Sequence, residues 1–109
     1  MARTEPQPIV SSRVDDPEVE ERIDAFVFEL GDRIDALQDL EIAGRFEALQ
    51  EEALVFLAQS RELGYDPLAS AAQRVAVACE ERSPESVRKA VVDLTELSKR
   101  VRLGHRGAA

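Results

Sequence analysis

Few side chains in this sequence are of the kind that makes or breaks covalent bonds. The one cysteine is Cys79 and the one histidine is His105. A lone thiol closes no disulfide within one chain and builds no thiolate zinc site. A lone imidazole near the C-terminus, in a stretch expected to fray, is a poor metal anchor or nucleophile partner. Carboxylates are abundant, but acid–base catalysis needs them converging on one substrate. The close pairs, Asp32 with Asp35 and Glu51 with Glu52, fall at helical surface positions and read as solvated side chains. Cys79 falls on an apolar stripe and reads as a buried structural thiol. No phosphate-cradling glycine loop, nucleophile elbow or His/Cys/Asp ligand cluster occurs. The residues predict no catalytic group, no metal and no cofactor, so function is expected to reside in a surface.

That surface is set by the elements beneath it. Residues 1–15 hold two prolines and few large apolar groups, and are expected to form a disordered arm. Asp16-Pro17 opens the first helix, with a capping carboxylate before a proline suited to the first turn. Ile23, Phe26, Val27, Leu30, Ile34, Leu37 and Leu40 then recur every three or four residues, one apolar stripe ending near Gly44. Phe46, Leu49, Ala53, Phe56, Ser60 and Leu63 form a second stripe, stopped by Gly64. Asp66-Pro67 starts a third, with Leu68, Ala71, Ala72, Val75 and Cys79. Ser83-Pro84 starts a fourth, with Val87, Ala90, Val91, Leu94, Leu97 and Val101, ended by Gly104. The links at Gly64 and Ser83 are firm; at Gly44 the first two helices could join through a kink. Short links between amphipathic helices predict an all-α, antiparallel up-down four-helix bundle over residues 16–103, with a flexible tail at 104–109. Phe26, Leu30, Ile34, Phe46, Leu49, Ala53, Phe56, Val75, Leu94 and Leu97 are the expected core.

Composition narrows the class. Five glycines and five prolines in 109 residues, with no Trp, suit a helical protein. The net charge of −8 argues against nucleic acid as a partner, because phosphate binding needs a basic face. Charge is unevenly spread: Asp15–Glu52 holds 14 acidic and 3 basic residues, whereas Arg82–Arg106 holds 3 acidic and 7 basic. This predicts attraction between the acidic first half and the last helix, or else an acidic face for a basic partner. The N-terminal stretch MARTEPQPIVSSRV has no apolar signal core, and no run of about 18 apolar residues occurs, so neither secretion nor a membrane span is expected. A cytoplasmic location is expected.

The second stripe lies within GRFEALQEEALVFLAQSRELGYDPL. This segment resembles the central helix of histidine-containing phosphotransfer (HPt) domains, four-helix bundles of bacterial two-component relays. In that family an exposed histidine is followed by Leu two residues on, Lys three on, a small Gly four on, and a helix-ending Gly ten on. Gly64 aligns with the last of these, and Leu68 with the leucine that begins the next helix. The phospho-accepting position then falls on Leu54, the buried apolar position on Phe56, the lysine on Leu57 and the small glycine on Ala58. The likeness spans Val19 to Val101. The frame matches and the reactive residues depart from it: Leu54 offers no nitrogen to take a phosphoryl group, and Leu57 cannot hold its charge.

The resemblance therefore implies a pseudo-phosphotransfer adapter that binds without transferring phosphate. Its partners would be a receiver-domain protein or a histidine kinase. The expected contact residues are Leu54, Leu57, Ala58 and Arg61, at spacings of three and four beside the core stripe, with Phe28 of the first helix extending the patch. The residues leave two alternatives open: Leu54 and Leu57 belong to the core, or the strip pairs with a second copy and the protein is a homodimeric structural module.

Overall fold

The structure, a computed structural model, describes residues 7–107, with side chains over 7–105. Four helices follow in order: α1 Glu20–Ile42, α2 Phe46–Glu62, α3 Asp66–Glu81 and α4 Pro84–Gly107. No strand occurs among the described residues. Each helix packs on its chain neighbours, and α1 closes against α4, so α2 and α4 sit on a diagonal. Side-chain pairs run in opposite senses along α1 and each of its two neighbours. Arg22 meets Glu62 while Leu37 lies by Glu52, and Glu41 meets Arg88 while Asp24 meets His105. The expected antiparallel up-down bundle is the observed fold.

Local chemistry sets the breaks. At Gly64, with φ at +85°, the Gly64 N–H donates to the Arg61 carbonyl and the Tyr65 N–H to the Ser60 carbonyl. These two bonds satisfy carbonyls that the end of α2 would otherwise leave open, and the left-handed turn they require is cheap only for glycine. The same bond pair ends α1, where Arg45 N–H donates to Leu40 and Gly44 N–H to Glu41. The first two helices are thus separate, not joined through a kink. Ser83 caps α4, its hydroxyl accepting from the Ser86 N–H at 3.4 Å.

The starts of α1 and α3 differ from expectation. Asp16 does not cap α1: its carboxylate accepts the Glu18 N–H at 2.9 Å within a preceding turn, and the helix begins at Glu20. Asp66 is itself helical, and Tyr65 precedes the helix without a side-chain cap.

The core is centred on an aromatic cluster. Phe26 lies 5.6 Å from Phe56 and 5.8 Å from Tyr65, centroid to centroid. Leu30, Ile34, Leu49, Ala53, Val75 and Leu94 are buried around it, as expected. Phe46 and Leu97 are only half-buried, packed on the edge of the core. The alanines of α3 let it come close on two sides: Ala69, Ala71, Ala72, Ala76 and Ala78 are all buried.

Residues 7–15 are not a loose arm. They form a strap across one end of the bundle, satisfying carbonyls at the end of α2. Ser12 N–H donates to Gly64 O at 2.9 Å, the Ser11 hydroxyl to Leu63 O, and the Arg13 guanidinium to Glu62 O at 2.8 Å. Farther along, Ile9 is buried and its N–H donates to Arg100 O at 3.0 Å. Gly104 does not stop α4, which continues to Gly107. Gly104 serves close approach instead: a Cβ there would overlap the Ile9 carbonyl. The prolines at 6 and 8 read as disorder because the sequence pattern carries no sign of these long-range backbone bonds. The rest of the expected arm, residues 1–6, lies outside the described residues.

Candidate docking surface on α2

The core face of α2 runs through Leu49, Ala53, Phe56 and Ser60, all buried. With about 100° of turn per residue, Leu54 and Ala58 fall on the opposite side. Leu54 is 49 % exposed, while Phe56 two residues later is 1 % exposed. Ala58 and Arg61 are exposed as well. Leu57 is not part of this surface: it is half-covered and packs against the core beside Phe56. The expected strip of two leucines is therefore one leucine, one alanine and one arginine.

Phe28 is 89 % exposed, but it does not extend the strip. One helical turn away on either side, Asp24 contacts His105 and Gly31 lies by Arg102, both on α4. Phe28 thus belongs to the α4 side of α1, and α2 packs on the other side, where Phe26 and Arg33 reach Phe56. The stripe pattern marks Phe28 as off-core without telling which neighbour that flank faces.

Two participants escape a search for apolar spacing. Val55 is 51 % exposed beside Leu54. Glu51 is exposed three residues before Leu54, and Arg61 three after Ala58. Neither Glu51 nor Arg61 joins an ion pair among the described residues. The surface is thus a short apolar patch with an acidic end and a basic end, and the helical positions that located Arg61 could have located Glu51 as well.

The remaining chemistry-bearing groups lie elsewhere. His105 is within α4, not in a frayed tail, with Nε2 3.3 Å from Asp24 Oδ1. Cys79 is buried, and burial pushes its thiol pKa up, which disfavours the reactive thiolate. Burial, with help from the Asp24 charge, also raises the Tyr65 phenol. No cluster of three or more His, Cys, Asp and Glu side chains among the described residues could hold a metal ion. No helix of the described residues is long and apolar enough to cross a membrane. The open recesses include one of about 540 Å³ between α3 and α4, one of about 380 Å³ between α1 and α4, and one of about 360 Å³ between α2 and α3 that Glu51 helps to line. The first has Val77, Ala78 and Ala90 in its lining with Arg74, Lys89, Glu81 and Asp93 around them, so it carries both signs of charge and no convergent set.

No family profile, no curated protein and no solved structure matches this chain.

Proposed function

We propose that this protein is a non-catalytic signalling adapter of the pseudo-phosphotransfer kind, docking a receiver domain or a histidine kinase of a bacterial two-component system through α2, in the cytoplasm. The observation that carries this reading is the register of α2. Leu54, in the place of the phospho-accepting histidine, faces outward, while Phe56 is buried and Gly64 ends the helix. Ala58, in the place of the small glycine, keeps the helix surface low beside it. A partner's helix can approach there, and Arg61 stands at the edge for a carboxylate.

The energetics set the scale. Burying one leucine side chain contributes about 1.5–3 kcal/mol. A micromolar complex needs about −8 kcal/mol, so Leu54 supplies a minority and neighbouring contacts the rest. Partial burial of Leu57 removes it from that sum.

The test is a titration of isotope-labelled protein with purified receiver domains, followed by amide resonances. Shifts are expected at Leu54, Ala58 and Arg61 and their helical neighbours, and Leu54→Asp is expected to abolish them while leaving the far-ultraviolet spectrum unchanged. Shifts confined to α1, α3 or α4 would refute the docking site. Failure of every receiver and kinase from the same genome to bind would refute the adapter.

A further inference from the structure

We propose that the exposed seam of α2 is self-complementary, and that two copies of this chain pair through it, antiparallel, about a two-fold axis between Leu54 and Ala58. This rests on the reading that the α2 strip is the docking face, and it names what covers that face when no other partner does.

The seam consists of Glu51, Leu54, Ala58 and Arg61, all exposed. Their spacing is three, four, three, the repeat by which one helix lays a continuous edge along another. When two such edges run antiparallel about a two-fold axis, the outer positions exchange partners. Glu51 of one copy then faces Arg61 of the other, and Leu54 faces Ala58. Each contact occurs twice. Large meets small in both apolar layers, and acid meets base in both outer layers.

The alternatives are disfavoured by the same residues. A parallel pairing sets Glu51 against Glu51 and Arg61 against Arg61. An antiparallel pairing shifted by seven residues sets Leu54 against Glu51 or Ala58 against Arg61. One register therefore satisfies charge and size together, and its competitors bury a charge or oppose like charges. Glu51 and Arg61 have no ion-pair partner among the described residues to give up on pairing. Val55, half-exposed alongside, adds apolar area at the flank. The low profile of Ala58 lets the two helix backbones come close.

The seam spans eleven residues, about 16 Å of helix. That is short of the roughly 800 Å² per partner of a standard stable interface, so the pair is weak and readily displaced. A receiver using the same strip would compete with it, making self-pairing a threshold that a signalling partner must overcome.

Sedimentation equilibrium over a concentration series up to millimolar tests this on the full chain. The wild type is expected to move from monomer to dimer as concentration rises. Arg61→Glu or Glu51→Arg alone should shift the midpoint about tenfold or more upward, since each creates two like-charge contacts. The double swap, Glu51→Arg with Arg61→Glu, should restore it. A wild type monomeric throughout, or a double swap no better than either single variant, would overturn the pairing. A second readout is independent of the charge variants. In a Cys79→Ser background, copies carrying Leu54→Cys and copies carrying Ala58→Cys should cross-link with each other faster than either does with itself; equal rates would overturn the register. Adding a bound receiver separates the two readings. Dissociation of the pair supports a shared site, whereas a receiver that binds without dissociating it overturns the α2 docking site and leaves the pairing standing.

Discussion

Ser60 is the one side chain among the described residues that is buried with its polar atom unpartnered. Its neighbours on the core face of α2 are Ala53 and Phe56, and its hydroxyl meets no acceptor. A buried polar group without a partner costs about 1–3 kcal/mol. Ser60→Ala is therefore expected to raise the melting temperature, aided by the better helix propensity of alanine; a lowered melting temperature would mean the hydroxyl makes a bond. The two leucines of α2 separate under a matched substitution. Leu54→Asp should leave thermal stability within about 0.5 kcal/mol of wild type, as exposed substitutions do. Leu57→Asp should lower it by more, because it puts a carboxylate against the core edge beside Phe56. Equal losses from the two would return Leu54 to the core. Periodicity could place Phe56 inside because it lies in the middle of a stripe of six, five of which are buried. It could not divide Leu54 from Leu57, since that division depends on how far α3 wraps around α2.

At the scale of elements, the four stripes, their order and two of the three links were legible in the sequence, because apolar spacing and glycine stops are local signals. The strap was not. Ile9, Ser11 and Ser12 are held by Arg100, Leu63 and Gly64, partners about 50 to 90 residues distant, and no short-range pattern records such bonds. The strap also lies beside two carboxylates that arginines hold in the ionised form. A hydrogen bond from Arg13 holds Asp16 below the usual carboxylate range, and Arg22 does the same for Glu62, whose backbone carbonyl receives Arg13. Both carboxylates are stabilising when ionised. Their contribution is complete above the ordinary carboxylate pKa of about 4 and is lost as pH falls through their lowered values. Hydrogen exchange at the Ile9 and Ser12 amides, corrected for intrinsic rate, should therefore accelerate below about pH 4 before the Leu30 and Leu49 amides are affected. Simultaneous loss of protection at all four would show that the strap and the bundle open as one unit.

Taken whole, the molecule divides its charge as the sequence suggests, but the division holds little together. The acidic α1 does lie along the basic α4, yet its ion pairs are sparse: Glu41 to Arg88 at 3.9 Å with the arginine mostly exposed, and Asp24 to His105. Exposed pairs of this kind contribute about 0–1 kcal/mol each and are screened by salt. The same arrangement bears on phosphoryl transfer. Forming an acid-labile phosphohistidine from an aspartyl-phosphate needs an unprotonated imidazole nitrogen in line with phosphorus, within a face that the donor can cover. The α2 face offers Leu54, Ala58 and Arg61, and none of them is such a nucleophile. The only imidazole is on α4, diagonal to α2 across the bundle, with Nε2 directed at Asp24. An incoming phosphate there would meet the Asp24 carboxylate, with Asp35 and Asp32 farther along the same acidic helix. Incubation with a phosphorylated receiver is therefore expected to leave this chain without acid-labile phosphate. His105→Gln serves as the control: label on the wild type that disappears in this variant would place phosphotransfer on the α1–α4 face and overturn the non-catalytic reading, whereas binding without label in both proteins is the behaviour expected of an adapter.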